Sequence, residues 1–177
     1  MKRVKMKRAK MKKLMGLFVL CSLFLSCEDI LQTFLTKNIE VKFDYALFAE
    51  QRQQWQAAQI KNYRYTLTAA GFDSYHGVII VEDGKFKQDT PLYEYGDINS
   101  FLEYSTIDEI YHTIEEVYTA NNNTEQNVFD VYLKAINVEY DTINHIPISI
   151  NYGYYIPDHI ALDGTFDYEI EDFEKDK

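Results

Sequence analysis

Residues 62–69 alternate: Tyr63, Tyr65, Leu67 and Ala69 on one side, Arg64, Thr66 and Thr68 on the other. That period of two marks a half-buried strand. Residues 75–82 read as a second strand, and Asp83-Gly84 as a two-residue hairpin turn, since both positions tolerate positive φ. Residues 85–88 return as a short third strand. Further on, Ile136, Val138 and Tyr140 alternate with Asn137, Glu139 and Asp141. Ile146, Ile148, Ile150 and Tyr152 form the next strand, and Phe166, Tyr168 and Ile170 the last. Pro147 predicts an edge strand or the first residues of a strand, because it donates no ladder hydrogen bond. Residues 127–135 fit a helix or a strand, and the alternation favours a strand start near Tyr132. Two stretches have helical spacing instead. Residues 45–60 lack Gly and Pro and follow Asp44, a suitable N-cap; Leu47, Phe48, Trp55 and Ala58 lie near one face. Residues 107–120 place Ile107, Ile110, Tyr111, Ile114, Val117 and Tyr118 on one stripe. Thr106 and Glu109 open that helix as a capping box. Residues 97–102 predict one or two helical turns. The expected fold is α+β, an antiparallel sheet with two amphipathic helices on one face. Its order is α-β-β-β-α-β-β-β, which a duplicated unit would give, although no residue-level repeat is visible.

The first residues have a different pattern. Eight Lys and Arg residues between Lys2 and Lys13 precede an apolar run from Leu14 to Leu25, and Ser26-Cys27 follows. The apolar run suits a signal peptide and is too short to span a bilayer as a mature helix. Phe24-Leu25-Ser26-Cys27 resembles the lipobox of bacterial lipoproteins, with Phe24 where leucine is usual. A small residue before the cut and a thiol after it are what that chemistry needs. The resemblance implies a covalent diacylglycerol and N-acyl lipid on Cys27 and no other cofactor. It also implies attachment to the inner or outer membrane of a cell envelope on the non-cytoplasmic side. An ordinary secretory signal with an incidental cysteine is the alternative. Residues 1–26 are then the signal peptide, 27–44 the attachment cysteine and tether, and 45–177 a single domain.

All 28 acidic residues, but only 10 of the 18 basic ones, lie beyond residue 26. Residues 27–177 therefore carry a formal charge of −18, against −10 for the whole chain. Such a surface repels nucleic acid and anionic headgroups. Cys27 is the only cysteine past the signal, so there is no disulfide, free thiol nucleophile or cysteine metal site. All 15 tyrosines lie in this part and supply a core without disulfides. Trp55, the only tryptophan, reads as a core anchor, with ligand stacking as the alternative.

Several spaced elements recur in order. They are Trp55, Ile60, Asn62, Tyr63 and Tyr65 (W-x4-I-x-N-Y-x-Y); Asp83-Gly84-Lys85; Thr106 to Tyr111; and Tyr140-Asp141 with His145 and Pro147. Asp163-Gly164-Thr165-Phe166 and Phe173 close the series. Together they resemble a family of bacterial lipoproteins built on a domain of unknown function, of spirochaete-type envelopes. The family usually has Tyr-Gly-Tyr-Pro where this chain has Asn144-His145-Ile146-Pro147. The resemblance covers about residues 45–174. It implies an architecture and an envelope address and carries no mechanism.

Candidate chemistry is sparse. His76, His112, His145 and His159 have no zinc-ligand spacing. His112 shares a helix face with Asp108 and Glu116, but a solvated polar face explains all three. Asp167, Glu169 and Glu171 read as one exposed strand face rather than a calcium loop. No Gly-x-Ser-x-Gly turn or clustered phosphate-binding glycine occurs. Residues 153–164 predict a long loop, and Tyr152, Tyr154 and Tyr155 at its start form a candidate interaction patch for protein or glycan. The function expected is a non-catalytic binding module for another envelope component, with an envelope protein as partner. A small-ligand or cation carrier is the alternative, and a hydrolase is a third.

Overall fold

The computed structural model describes residues 36–70, 74–91, 98–127, 130–158 and 166–176. In chain order these form β1 (Thr36–Ile39), α1 (Tyr45–Ala58), β2 (Tyr63–Ala70), β3 (Tyr75–Glu82) and β4 (Lys85–Pro91). A 3-10 segment (Ile98–Tyr104) and α2 (Ile107–Asn121) follow, then β5 (Thr124–Asn127), β6 (Tyr132–Asp141), β7 (Ile146–Tyr155) and β8 (Phe166–Lys175). The class is α+β in the expected order, with two four-residue strands added. Contacts divide the chain into two units. One takes residues 1–38 and 125–129, and its described part is most of the β1–β5 pair. The other takes 39–124 and 130–177 and holds everything described below.

Its sheet runs β4-β3-β2-β8-β7-β6, antiparallel throughout. Each helix precedes a three-stranded meander, and the two meanders meet where β2 pairs with β8. Tyr63, Tyr65, Leu67 and Ala69 are buried on one face of β2, as their alternation requires. The helices cover that face. Trp55 of α1 meets Tyr63 edge-on at 5.5 Å. The Tyr63 hydroxyl accepts from the Ile107 amide at the start of α2 (3.0 Å). The Tyr65 hydroxyl donates to the Tyr104 carbonyl at 2.6 Å.

Local chemistry explains the ends of the elements. Asp44 accepts from the Leu47 amide (3.0 Å) and caps α1; Thr106 accepts from the Glu109 amide (3.1 Å) and caps α2. Asp83 and Gly84 take φ of 53° and 73°, which the β3–β4 turn needs. Along α2, Ile107, Ile110, Tyr111 and Ile114 are buried, as the stripe predicts. On α1 the prediction differs: Phe48, Gln51 and Trp55 are buried, while Leu47 and Ala58 are exposed. Gln51 is tolerated inside because its Oε1 lies 2.9 Å from His145 Nδ1, a partner brought from the β6–β7 turn.

Three strands outrun their hydrophobic pattern. β4 extends to Pro91. β7 extends to Tyr155, so the predicted loop begins later than residue 153. β8 continues to Lys175, past the alternation that ends at Ile170. Asp172 takes φ of 50° at the register shift in β8. This bulge returns Phe173 to the covered face, 6.1 Å from Trp55. Pro147 is the second residue of β7, at the strand start that it predicts, and β8 pairs with β7 only from Ser149 onward.

The main unit starts before Tyr45. Val41 is 3% exposed. Lys42 bridges β6 in parallel, its amide donating to Lys134 O and its carbonyl accepting from the Ile136 amide (2.9 Å each). Residues 39–43, expected within the tether, thus cover part of the β6 edge.

An ion pair joins the helices: Arg52 and Tyr45 both donate to Glu115. The Arg52 hydrogen bond, then that of Tyr45, holds the Glu115 carboxyl below its ordinary 4.5. A carboxyl depressed in the folded state adds stability above its unfolded value and loses it as pH falls. Glu115→Gln is therefore expected to be less stable than the parent at pH 7, and the gap to narrow below pH 4.5. Urea midpoints of both proteins at pH 7 and pH 3.5 test this. An unchanged gap would remove the clamp.

Candidate functional site

Cys27, His159 and Asp163 lie outside the described residues. The three candidate tyrosines are not in a loop: all belong to β7, and the period of two divides them. Tyr152 faces the core and is 4% exposed. Its hydroxyl lies 3.2 Å from that of Tyr104, whose ring stacks on Tyr168 at 3.9 Å. Burial raises the Tyr104 and Tyr152 hydroxyls well above the ordinary tyrosine value, so both stay protonated. Tyr154 shares that face near its end, edge-on to Phe166 at 6.0 Å. Tyr155 points to the other side of the sheet, 37% exposed, and stacks with Tyr132 at 4.8 Å.

The three described histidines are each engaged by a neighbouring side chain. His145 bonds Gln51, and His76 Nδ1 lies 2.8 Å from Thr68 Oγ1. His112 pairs with Glu116 at 3.2 Å, but Asp108 accepts from Trp55 Nε1 at 3.1 Å. Among the described residues no group of three His, Cys, Asp or Glu is placed to hold a metal ion. Nor is any described helix long and apolar enough to cross a membrane.

The second face of the sheet carries neither described helix, and residues from distant parts of the chain form rows on it. Directly opposed residues in an antiparallel pair share a face. Tyr132 opposes Tyr155, and Ala135 opposes Gly153. Asn137 opposes Asn151, which opposes Asp167. Asn137 Nδ2 donates to Asn151 Oδ1 (3.2 Å), and Asn151 Nδ2 donates to Asp167. Next comes Glu139–Ser149–Glu169–Thr68–His76, five strands wide. Beyond Thr68, a hollow of about 290 Å³ lies between Arg64, Thr66, Val78, Asp172 and Glu174. Arg64 is engaged by Glu174 at 2.6 Å. Asp167, Glu169 and Glu171 share this face, as their alternation predicts, and the electrostatic character is acidic.

The two edges of the sheet differ. β4 carries Lys85, Lys87, Pro91 and a register shift beside Val81, features that discourage strand addition. Beside the covered part of β6 is a groove of about 300 Å³ that includes Phe43, Leu47, Val138 and Tyr140. The buried Tyr140 hydroxyl makes no hydrogen bond among the described residues.

Sequence reasoning singled out Tyr155 but missed Tyr132, Asn137 and Asn151 as its companions. Alternation already placed Asn137 outside. Counting back from the β6–β7 turn would have brought it near Asn151, but the register shift between Glu139 and Tyr140 moves the count by one residue. No family model, curated protein or solved structure matches this chain.

Proposed function

We propose that this chain is a lipid-anchored, non-catalytic binding module of the bacterial cell envelope. Lipid on Cys27 holds it to the inner or outer membrane, and the open sheet face meets another envelope component. The observation that carries the reading is that face: a partly exposed aromatic pair beside in-register amide and carboxylate rows, uncovered by either helix. Several acyl chains make attachment stable, because each buried methylene contributes about 0.8 kcal/mol. The excess of acid keeps nucleic acid and anionic headgroups away from the face. A small-ligand carrier is the second reading, favoured by the groove beside β6 and the unpartnered Tyr140 hydroxyl.

Two experiments test the proposal. With labelled palmitate, Cys27→Ser is expected to lose all label, and globomycin to make the parent precursor accumulate. Normal processing and release of Cys27→Ser would end the anchor reading. A photo-crosslinking residue at Tyr155 is expected to trap an envelope component in cells, and one at Gln53 on exposed α1 is not. Equal products from both sites would remove the face from the proposal.

A further inference from the structure

Gly153 sits in the interior of β7, between Tyr152 and Tyr154. Glycine weakens a strand, and it occurs there where a turn, a bulge or a close approach demands it. The usual demands do not account for Gly153. Its φ lies outside the left-handed region, unlike that of Gly84. A Cβ built on it would meet Ala135 Cβ and Ala135 O at 3.7 Å, ordinary van der Waals contact. The register shift beside it belongs to β6, between Leu133 and Ala135. The packing of the fold therefore accepts a side chain here, and the sequence leaves one out. Ala135 directly across is the smallest residue that still has a Cβ. Together they make a bare shelf on the open face.

Polar and aromatic groups frame the shelf. On one side stand Tyr132 and Tyr155; on the other, Asn137, Asn151 and Asp167. From Tyr155 to Asn151 is four residues of strand, about 13 Å, and from Asn137 to Asp167 is two strand spacings, about 10 Å. Asn137 donates to the Asn151 side-chain oxygen and Asn151 in turn to Asp167, so the row is ordered before any ligand arrives. The next row adds Glu139, Ser149 and Glu169. The fitting ligand is flat enough to lie on bare backbone and offers ring surface to tyrosine. It brings hydroxyl donors to amide and carboxylate acceptors, and it has no negative charge to meet Asp167 and Glu169. A hydroxyl-rich sugar chain has all four properties. A flexible cationic peptide satisfies the carboxylates but gives no reason for the shelf.

We propose that the Gly153–Ala135 shelf, between the Tyr132–Tyr155 pair and the Asn137–Asn151–Asp167 row, seats a non-anionic glycan chain. This rests on the binding-module reading and names the class of its ligand. Tyr155 and Tyr132 supply ring contact, and Asn137 and Asn151 orient hydroxyls along the strand.

Gly153→Val in the full lipoprotein, purified in mild detergent, tests the proposal without touching the core. Valine suits a strand, so the melting temperature is expected to stay level or rise. Retention of the parent, Gly153→Val, Asn151→Ala and a Gln53→Ala control is measured on chitin, on cellulose and on neutral dextran. The expected result is that the parent binds at least one polysaccharide. Gly153→Val and Asn151→Ala should then lose about tenfold or more in affinity, and Gln53→Ala none. Failure of the parent to bind any of the three, or full retention of Gly153→Val, overturns the glycan assignment. Binding to polylysine that Glu169→Gln weakens and Gly153→Val spares would also overturn it, in favour of a cationic partner. If the glycan fails while the crosslinker at Tyr155 still traps an envelope protein, the binding-module reading survives alone. If both fail, both fall.

Discussion

Trp55→Ala is expected to lower the stability of the folded unit by about 3–5 kcal/mol, roughly a third or more of what a domain commonly has. Trp55 is 2% exposed and lies where the three parts of the core meet. Its ring is edge-on to Tyr63 of β2 at 5.5 Å and to Phe173 of β8 at 6.1 Å. Its Nε1 donates to Asp108 on α2 at 3.1 Å. Alanine removes the packing of α1 on the central strands and its link to the second helix together. Trp55→Phe separates the two contributions. It keeps most of the apolar contact, and the exposed Asp108 finds water instead, so its loss should be about 1 kcal/mol beyond the change in packing. Thermal unfolding reads both. The alanine variant should melt roughly 6–20 °C below the parent. A drop of a degree or two would show that Trp55 does not anchor the core and would reopen ligand stacking.

Removing residues 1–44 is expected to damage the fold far more than removing residues 1–38. Hydrophobic patterning starts the domain at Tyr45, while the packed unit starts at Ile39. The shorter chain loses Val41, whose burial is worth about 1.5–3 kcal/mol. It also loses Phe43, which meets Phe48 at 5.3 Å and Tyr118 at 5.1 Å. The two Lys42 backbone bonds to β6 go with them, each worth about 1 kcal/mol. The total is about 4 kcal/mol or more, and the β6 edge from Lys134 to Ile136 is left uncovered, an invitation to strand pairing between molecules. Denaturant midpoints of 39–177 and 45–177, with light scattering for association, measure the difference. Equal stability would mean that residues 39–43 merely rest on the sheet. Asp44, the helix cap, belongs in a third chain, 44–177, which separates loss of the cap from loss of the edge cover.

The two αβββ runs give the open face its position. With both helices on one side, the chain leaves an acidic surface on the other. Register then places Asn137, Asn151 and Asp167 in one line although thirty residues of chain separate the first from the last. The tyrosines divide by the same rule. On the covered face Tyr152 closes a hydroxyl contact with Tyr104 in the core. Tyr155, one step beyond Tyr154, belongs to the surface.

The amino-acid pattern alone determined the class and order of the elements, both helix caps, the Asp83-Gly84 turn, the inward residues of β2 and the outward acids of β8. These depend on groups a few positions apart, so local propensity and periodicity suffice. It is also the whole basis for proposing lipid on Cys27, by chemistry that needs no fold. Tertiary structure decided the rest. Gln51 is buried because His145 arrives beside it. Residues 39–43 join the core because the β6 edge is there to receive them. β1 and β5, with sequences TKNI and TEQN, have no alternation to announce them. Most of all, a period of two says which side of its own strand a residue faces and nothing about which residue lies across from it. Pairing of β2 with β8 brings together residues about a hundred positions apart, and bulges in β6 and β8 shift the count. The rows of the open face, and the bare shelf at Gly153, exist only once those registers are set.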